Sequence, residues 1–278
     1  MSKLLIDTDR VQKILIRFIQ DQMHITGFNH LVIGLSGGID SGLACFLISK
    51  AVGPQNVLAI RLPYKTSSAS SLEDAQLVID STGVNSKTIE ITDIVDGYTQ
   101  KFPQISPVRR GNIMARARMI ILYDQSVEFN GLVTGTGNKT EYMLGYTTLY
   151  GDAACAFNPV GDLYKSQVRQ LARALGMPER IITKSPSADL WIGQTDEGEM
   201  GFSYDDVDQL LYMLIEERYT VSECCEAGIP EAFVRRVVSM INKNGFKRSL
   251  PPVARISPLP VGEDLIYPDE LGLTHSAL

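Results

Sequence analysis

The sequence predicts an α/β fold with a central parallel sheet flanked by helices, and three observations predict it. Short apolar runs alternate with segments of helical period over the first half of the chain, the signature of strand-helix-strand units. A glycine-rich turn, Ser36 to Ser41, follows the first apolar run and opens a helix. From Lys165 onward the helical patterns continue without new strands, so extra helices are expected after the sheet is complete.

Each element has its own signal. From Asp9 to about Thr26 the residues Val11, Ile14, Leu15, Phe18, Ile19 and Met23 recur at helical spacing and form one apolar face. His30 to Leu35 reads as a buried strand; Gly and Ser at 36–38 end it, and a helix follows through Leu43, Phe46 and Leu47 until Gly53-Pro54 stops it. A second strand is expected at Val57 to Leu62, a helix from about Ser71 to Ser81, and a third strand near Thr88 to Ile91. A long helix runs from about Arg109 to Phe129, with Ile113, Ala117, Ile120, Ile121 and Tyr123 among its packing positions, and Gly131 to Thr136 is a short buried strand ending in a turn. The stretch Gly145 to Asp162 is rich in glycine and aromatics and has no period; a loop that long is either functional or hides an element. Helices are expected at Lys165 to Leu175 and Tyr204 to Glu217, then in shorter pieces to Asn244, before a Pro-rich tail.

Composition excludes several classes. The 278 residues are 44% apolar and 21% charged, the balance of a globular protein rather than a disordered one. No apolar run is long enough to cross a bilayer, and MSKLLIDTDR does not read as a signal peptide, so no membrane role and a cytoplasmic location are expected. A net charge of −6 argues against a protein that coats nucleic acid. The cysteines Cys45, Cys155, Cys224 and Cys225 form no CxxC pair, which suits idle thiols better than a disulfide framework or a zinc site.

The turn Ser36-Gly37-Gly38-Ile39-Asp40-Ser41 carries the first chemistry. At a helix N-terminus the backbone N–H groups are unpaired and the dipole favours negative charge, so phosphate oxygens can sit there. The Walker pattern is absent and no lysine follows the glycines, which argues against ordinary γ-phosphoryl transfer. Asp40 would repel phosphate unless a cation lay between them, and Mg²⁺ suits a site with few carboxylates. A plain tight turn, with Asp40 favouring the helix dipole, accounts for the same residues.

The segment resembles the SGGxDS loop of the N-type ATP pyrophosphatases, which cleave ATP between the α and β phosphates. Three further stretches narrow the resemblance: Gly111 to Met119; Gly135 to Glu141 with Gly145-Tyr146 and Tyr150-Gly151-Asp152; and Pro186 to Trp191 with Gln194 to Glu197. Together they are similar to the ammonia-dependent NAD synthetases, over about residues 10–250. The resemblance implies an amide-forming ligase that makes NAD from deamido-NAD, ATP and ammonia through an adenylated intermediate, releasing AMP and pyrophosphate.

It also implies roles. Asp40 and Glu141 are the implied Mg²⁺ ligands and, with Lys165, the implied catalytic groups. ATP is expected on Gly34, Leu35, Ser36, Gly37, Gly38, Ile39, Asp40 and Ser41, with Arg61 lying on the adenine and Thr136, Lys165 and Ser187 as further contacts, Lys165 a mobile cation for phosphate. Asn112, Arg116 and Tyr123, on one face of the long helix, and Lys247 are expected to meet deamido-NAD. Asp189, Trp191 and Gln194 to Glu197 are expected to close over the site. Two departures concern the deamido-NAD half: Leu149 and Ala156 replace a family Lys and Asp, and Phe246 stands where a His precedes the Lys. The TLYGDAAC form of this stretch is similar to the synthetase domains of glutamine-dependent members.

The expected architecture is one Rossmann-like domain over 1–278: an N-terminal helix in 1–28, an ATP pyrophosphatase core in 29–200, C-terminal helices in 201–250 and a tail in 251–278. No segment has room for a glutaminase, so free ammonia, or ammonia from a separate glutaminase, is the expected nitrogen source. The resemblance implies a homodimer with deamido-NAD across the interface. The competing readings are XMP amination or tRNA thiolation by the same superfamily, and a non-catalytic adenine-nucleotide sensor. Absence of CxxC and the acidic balance count against thiolation, and retention of both Asp40 and Glu141 counts against a sensor.

Overall fold

In the computed structural model, residues 2–187, 189–191, 193–254 and 256 are described. After a 3₁₀ turn at Ser2–Leu4, helix α1 (Thr8–Thr26) is capped by Asp7, which accepts from the Arg10 N–H, and ends on Gly27 in the left-handed region. There follow β1 (His30–Gly34), α2 (Ile39–Val52), β2 (Val57–Arg61), α3 (Ala69–Thr82), β3 (Asn85–Thr88), α4 (Thr92–Thr99), α5 (Pro107–Glu128) and β4 (Gly131–Thr134). Seven helices and a 3₁₀ turn complete the described chain: α6 (Lys139–Leu144), α7 (Lys165–Ala174), α8 (Glu179–Ile182), α9 (Asp196–Met200), α10 (Tyr204–Ile215), α11 (Val221–Glu226) and α12 (Glu231–Lys243), with the 3₁₀ turn at Gly245–Arg248.

The strands form one parallel sheet in the order β3-β2-β1-β4, as expected of strand-helix-strand units. Helices cover both faces. On one side α1, α2, α3 and α7 close a core around Leu31, Ile33 and Ala59; on the other α4 and α5 close a core around Val32, Leu58 and Ile60. Helix α2 is buried on nearly every side, which explains why its apolar residues show no stripe. A third core, built from Tyr204, Val207, Leu210, Leu211, Val234 and Val237, joins α10 to α12 against α6 and Tyr164.

Three expectations shift. The third strand is Asn85–Thr88, not Thr88 to Ile91: its residues are polar and exposed at the sheet edge, while the buried Ile91 lies just beyond. The chain still follows β2 there, with the Ile89 N–H donating to Arg61 O and the Ile91 N–H to Pro63 O, both at 2.9 Å. Short helices α4, α6, α8 and α9 occupy stretches for which the sequence predicts no element, because four to eight residues hold too little period to show. The stretch 145–162 has no helix, but Phe157 bridges Thr134 and carries the sheet edge one residue past β4. The tail expected after Pro251 lies largely outside the described residues.

Candidate active site

The chain builds outward from β1 to β2 and β3, then returns to lay β4 on the other side of β1. Open parallel sheets bind ligands outside the carboxyl ends of their strands at such a reversal. A cavity of about 660 Å³ opens there, lined by the turns after β1 and β4, one face of α5, the start of α7 and residues of the 184–199 segment.

The glycine-rich turn is organised by two hydroxyls. Ser41 Oγ accepts from the Ser36 N–H at 3.3 Å and lies 3.1 Å from Ser36 Oγ, which in turn accepts from the Gly38 N–H at 3.2 Å. Gly37 has φ +78°, and a Cβ there would lie 2.2 Å from Ser71 O, so the turn fits against the first turn of α3 only as glycine. Gly38 caps α2 without a side-chain hydrogen bond, whereas Asp7, Ser68, Ser106 and Asn138 cap α1, α3, α5 and α6. The first N–H groups of α2 are thus left for a ligand, and the dipole of a buried helix points at it.

Asp40, in that first turn, meets Glu141, in the first turn of α6, through Lys165. Lys165 Nζ donates to Asp40 Oδ2 and lies 3.8 Å from Glu141 Oε1. Asn138 joins the two acids: its Nδ2 donates to Asp40 Oδ1 at 2.9 Å, its Oδ1 accepts from the Glu141 N–H at 3.0 Å, and its own N–H donates to Glu141 Oε2 at 3.1 Å. Burial and then the charge of Asp40 push the Glu141 carboxyl up to about 8, against the pull of Lys165. For Lys165 burial works downward, but Asp40 and Glu141 outweigh it and the ammonium is held above its ordinary range. Asp196, also at the cavity wall, is raised by burial. The cluster therefore joins a buried cation and two acids at an uncapped helix N-terminus, the kind of place where an anion can be held.

The sequence-derived residues divide. Gly34, Leu35, Ser36, Gly38, Ile39, Asp40, Ser41, Thr136, Glu141, Lys165 and Ser187 all line the cavity, as do Asn112 and Lys247. Gly37 stands behind the turn. Lys165 is only 2% exposed, and its ammonium is bound to the Asp40 carboxylate. Arg61 ends β2 but does not line the cavity; its Nη1 donates to Gln76 Oε1 at 2.6 Å on α3. On α5 the cavity face is Val108, Asn112, Ala115, Arg118, Met119 and Leu122, and Arg116 and Tyr123 lie just past its edge. Arg116 Nη2 instead donates to Leu149 O at 3.1 Å. Leu149, Ala156 and Phe246 stand off the cavity, whereas Lys247 donates to Gly145 O and Thr147 O at 2.7 and 2.8 Å. Asp189, Leu190, Trp191 and Gln194 lie on the cavity, and Asp189 Oδ2 accepts from the Ser68 N–H at 3.1 Å. Ala188 and Ile192 of that segment lie outside the described residues.

Two residues without a sequence-assigned role stand out. Asn138 is fully buried between the acids, and its signal was the capping box with Glu141, an Asn followed three residues later by Glu. Arg118 lines the cavity with its Nε donating to Leu62 O at 3.0 Å, and burial lowers its pKa.

A model of the NAD synthase family matches residues 11–251. The chain belongs to the NAD synthase family. Among curated NAD synthases, the NH(3)-dependent NAD(+) synthetase of Trichlorobacter lovleyi is 48% identical over 98% of this chain and 100% of its own. Among solved structures, the NH3-dependent NAD synthetase of Campylobacter jejuni superposes with a TM-score of 0.77 at 34% identity, covering 90% of this chain and all of that one. An NMN synthetase from Francisella tularensis superposes with a TM-score of 0.80 at 32% identity, covering 91% and 100%.

Proposed function

We propose that this NAD synthase adenylates the nicotinate carboxylate of deamido-NAD with ATP and then aminates it with ammonia, using Asp40, Glu141 and Lys165 beside the phosphate loop. The activity is that of an ATP-using amide ligase, and it forms NAD. The observation that carries the site assignment is the meeting of Asp40, Glu141 and Lys165 at the uncapped N-terminus of α2.

A carboxylate oxygen is a poor leaving group. It attacks the α-phosphorus of ATP, the bond to the β-phosphate breaks, and pyrophosphate departs. Ammonia then adds to the acyl carbon, AMP leaves with the carboxylate oxygen, and a proton leaves the nitrogen. Charge grows on phosphoryl oxygens in the first step, and the α2 N–H groups and Lys165, which line the cavity, would stabilise it there. Asp40 and Glu141 suit Mg²⁺, which takes one or two carboxylates and fills its shell with phosphate and water. Bound there, Mg²⁺ would neutralise the triphosphate and the leaving pyrophosphate.

The same reading extends to assembly and setting. Ile120, Tyr123 and Val127 form an exposed apolar stripe on α5, 57%, 40% and 81% exposed, next to its cavity face. A second copy covering this stripe would bring deamido-NAD, Arg116 and Tyr123 together at a homodimer interface. Elements from β1 to Lys247 line one cavity, which favours reading 1–278 as one domain. Four free cysteines suit a reducing cytoplasm, with ammonia either free or handed over by a separate glutaminase.

The deciding assay incubates the protein with ATP, Mg²⁺, ammonium and deamido-NAD and follows NAD, AMP and pyrophosphate, which should form in equal amounts and stop on chelation. Nicotinate mononucleotide and XMP are run beside it. Faster AMP formation on either would overturn deamido-NAD as the substrate, and turnover that survives D40A and E141A would overturn the site.

A further inference from the structure

Glu141 and Lys165 stand on the first turns of different helices, α6 and α7, yet both must face one phosphate group if they act together. A third helix ties them. Asp208 of α10 accepts from Thr140 Oγ1 at 2.5 Å with one oxygen and from the Ser166 N–H at 2.7 Å with the other. The Lys165 N–H donates to Thr140 Oγ1 at 3.1 Å, closing the triangle. Thr140 and Asp208 are fully buried, and none of their polar atoms lines the cavity. We propose that Asp208 and Thr140 are positioning residues that fix the spacing between Glu141 and Lys165, and so the alignment of ATP for adenylation.

The choice of side chains favours this over plain packing. A buried carboxylate is costly to desolvate, and an apolar residue of similar volume fills such a place with less loss. What a carboxylate alone supplies is two acceptors at a set separation, and each is taken by the helix that carries one of the two groups. Thr140 is used the same way: valine would fill its volume, but only a hydroxyl can donate to Asp208 while accepting from the Lys165 N–H. Lys165 also opens α7, where the helix dipole disfavours a cation, and Asp208 sets an anion at that same end. The brace therefore serves the placement of Lys165 as well as the joint between helices.

The inference rests on the reading of Glu141 and Lys165 as active groups, so E141A is assayed first on the full-length protein. Thr140→Val, nearly isosteric, should lower kcat about ten- to a hundredfold, the scale of an ångström-sized misplacement. KM for ATP and for deamido-NAD should stay within about threefold, and Thr140→Ser, which keeps the hydroxyl, should recover most of the lost kcat. Asp208→Asn should lower kcat similarly, and the T140V/D208N double variant should be no slower than the slower single one, as expected of residues acting as a unit. If E141A is inactive but T140V turns over like the parent, or T140V and T140S are equally slow, or the loss lies in KM alone, the brace is overturned. If E141A keeps its activity, the reading of the site fails instead. Should D208N not fold, the T140V and T140S pair decides by itself.

Discussion

Asn138 Nδ2 donates to Asp40 Oδ1 at 2.9 Å across 98 residues of sequence, while the same side chain caps the helix that carries Glu141. One amide thus sets the orientation of both acids. It lies at the switch point because β1 and β4 are neighbours in the sheet, so the turns that follow them face each other.

Asn138→Ala removes the cap and the bridge together. Loss of an Asn cap costs about 0.5 to 2 kcal/mol, so a thermal melt should fall by a few degrees, while kcat should drop at least about tenfold because Asp40 and Glu141 lose their common donor. A melt and a turnover assay on one preparation check both. Normal turnover with a lowered melt would confine Asn138 to capping.

Lys165→Met leaves Asp40 and Glu141 facing each other without their buried cation. Removing one partner of such a pair costs about 3 to 5 kcal/mol, so urea unfolding should show a large loss of stability along with loss of adenylation. The D40N/K165M double variant should regain part of the stability and none of the activity. Equal stabilities of K165M and the parent would mean that the ammonium does not hold the acids.

The α5 stripe gives an assembly prediction. Val127→Glu, at the most exposed of its positions, should convert a dimer to a monomer in light scattering and raise KM for deamido-NAD more than KM for ATP. A parent protein already monomeric at micromolar concentration would remove the stripe from consideration as a subunit contact.

Asp96 gives a pH prediction away from the site. Hydrogen bonds from Lys65 and then from Tyr64, the latter at 2.7 Å, hold its carboxyl below the usual carboxylate range. The folded protein therefore keeps this proton off at pH values where the unfolded chain binds it. Its stabilising effect is present above the ordinary carboxylate pKa of about 4 and is lost as pH falls from there through the folded value. Urea midpoints of D96N and the parent should differ at neutral pH and converge below that range. A constant difference across the same interval would show that the pair does not titrate in this way.

Much of the fold was legible because its signals are local. Gly53-Pro54 stops α2 at Val52, and the periodic apolar residues of α1 bound it to within one residue at its start. β3 lies earlier than the sequence predicts because an exposed polar edge strand carries no apolar alternation, whereas Ile89 and Ile91 just beyond it do. Arg61 is expected on the adenine by resemblance alone, since no local signal in the sequence fixes where its side chain turns. The end of a strand leaves the side chain free to turn either way, and here it reaches Gln76 on α3.

The sequence by itself determined the order of strands and helices, the glycine-rich turn at a helix start, and the residue types that must meet for phosphate chemistry. These are encoded in neighbours a few positions apart, where backbone sterics and apolar period act. Only the tertiary structure decided that Lys165, 125 residues from Asp40, would be its buried partner, and that Asp208 would span α6 and α7. It also decided which side of α5 faces the cavity. A helical period defines a face but not its neighbour; that is set by how helices stack on a twisted sheet to bury the most apolar surface, a property of the whole chain.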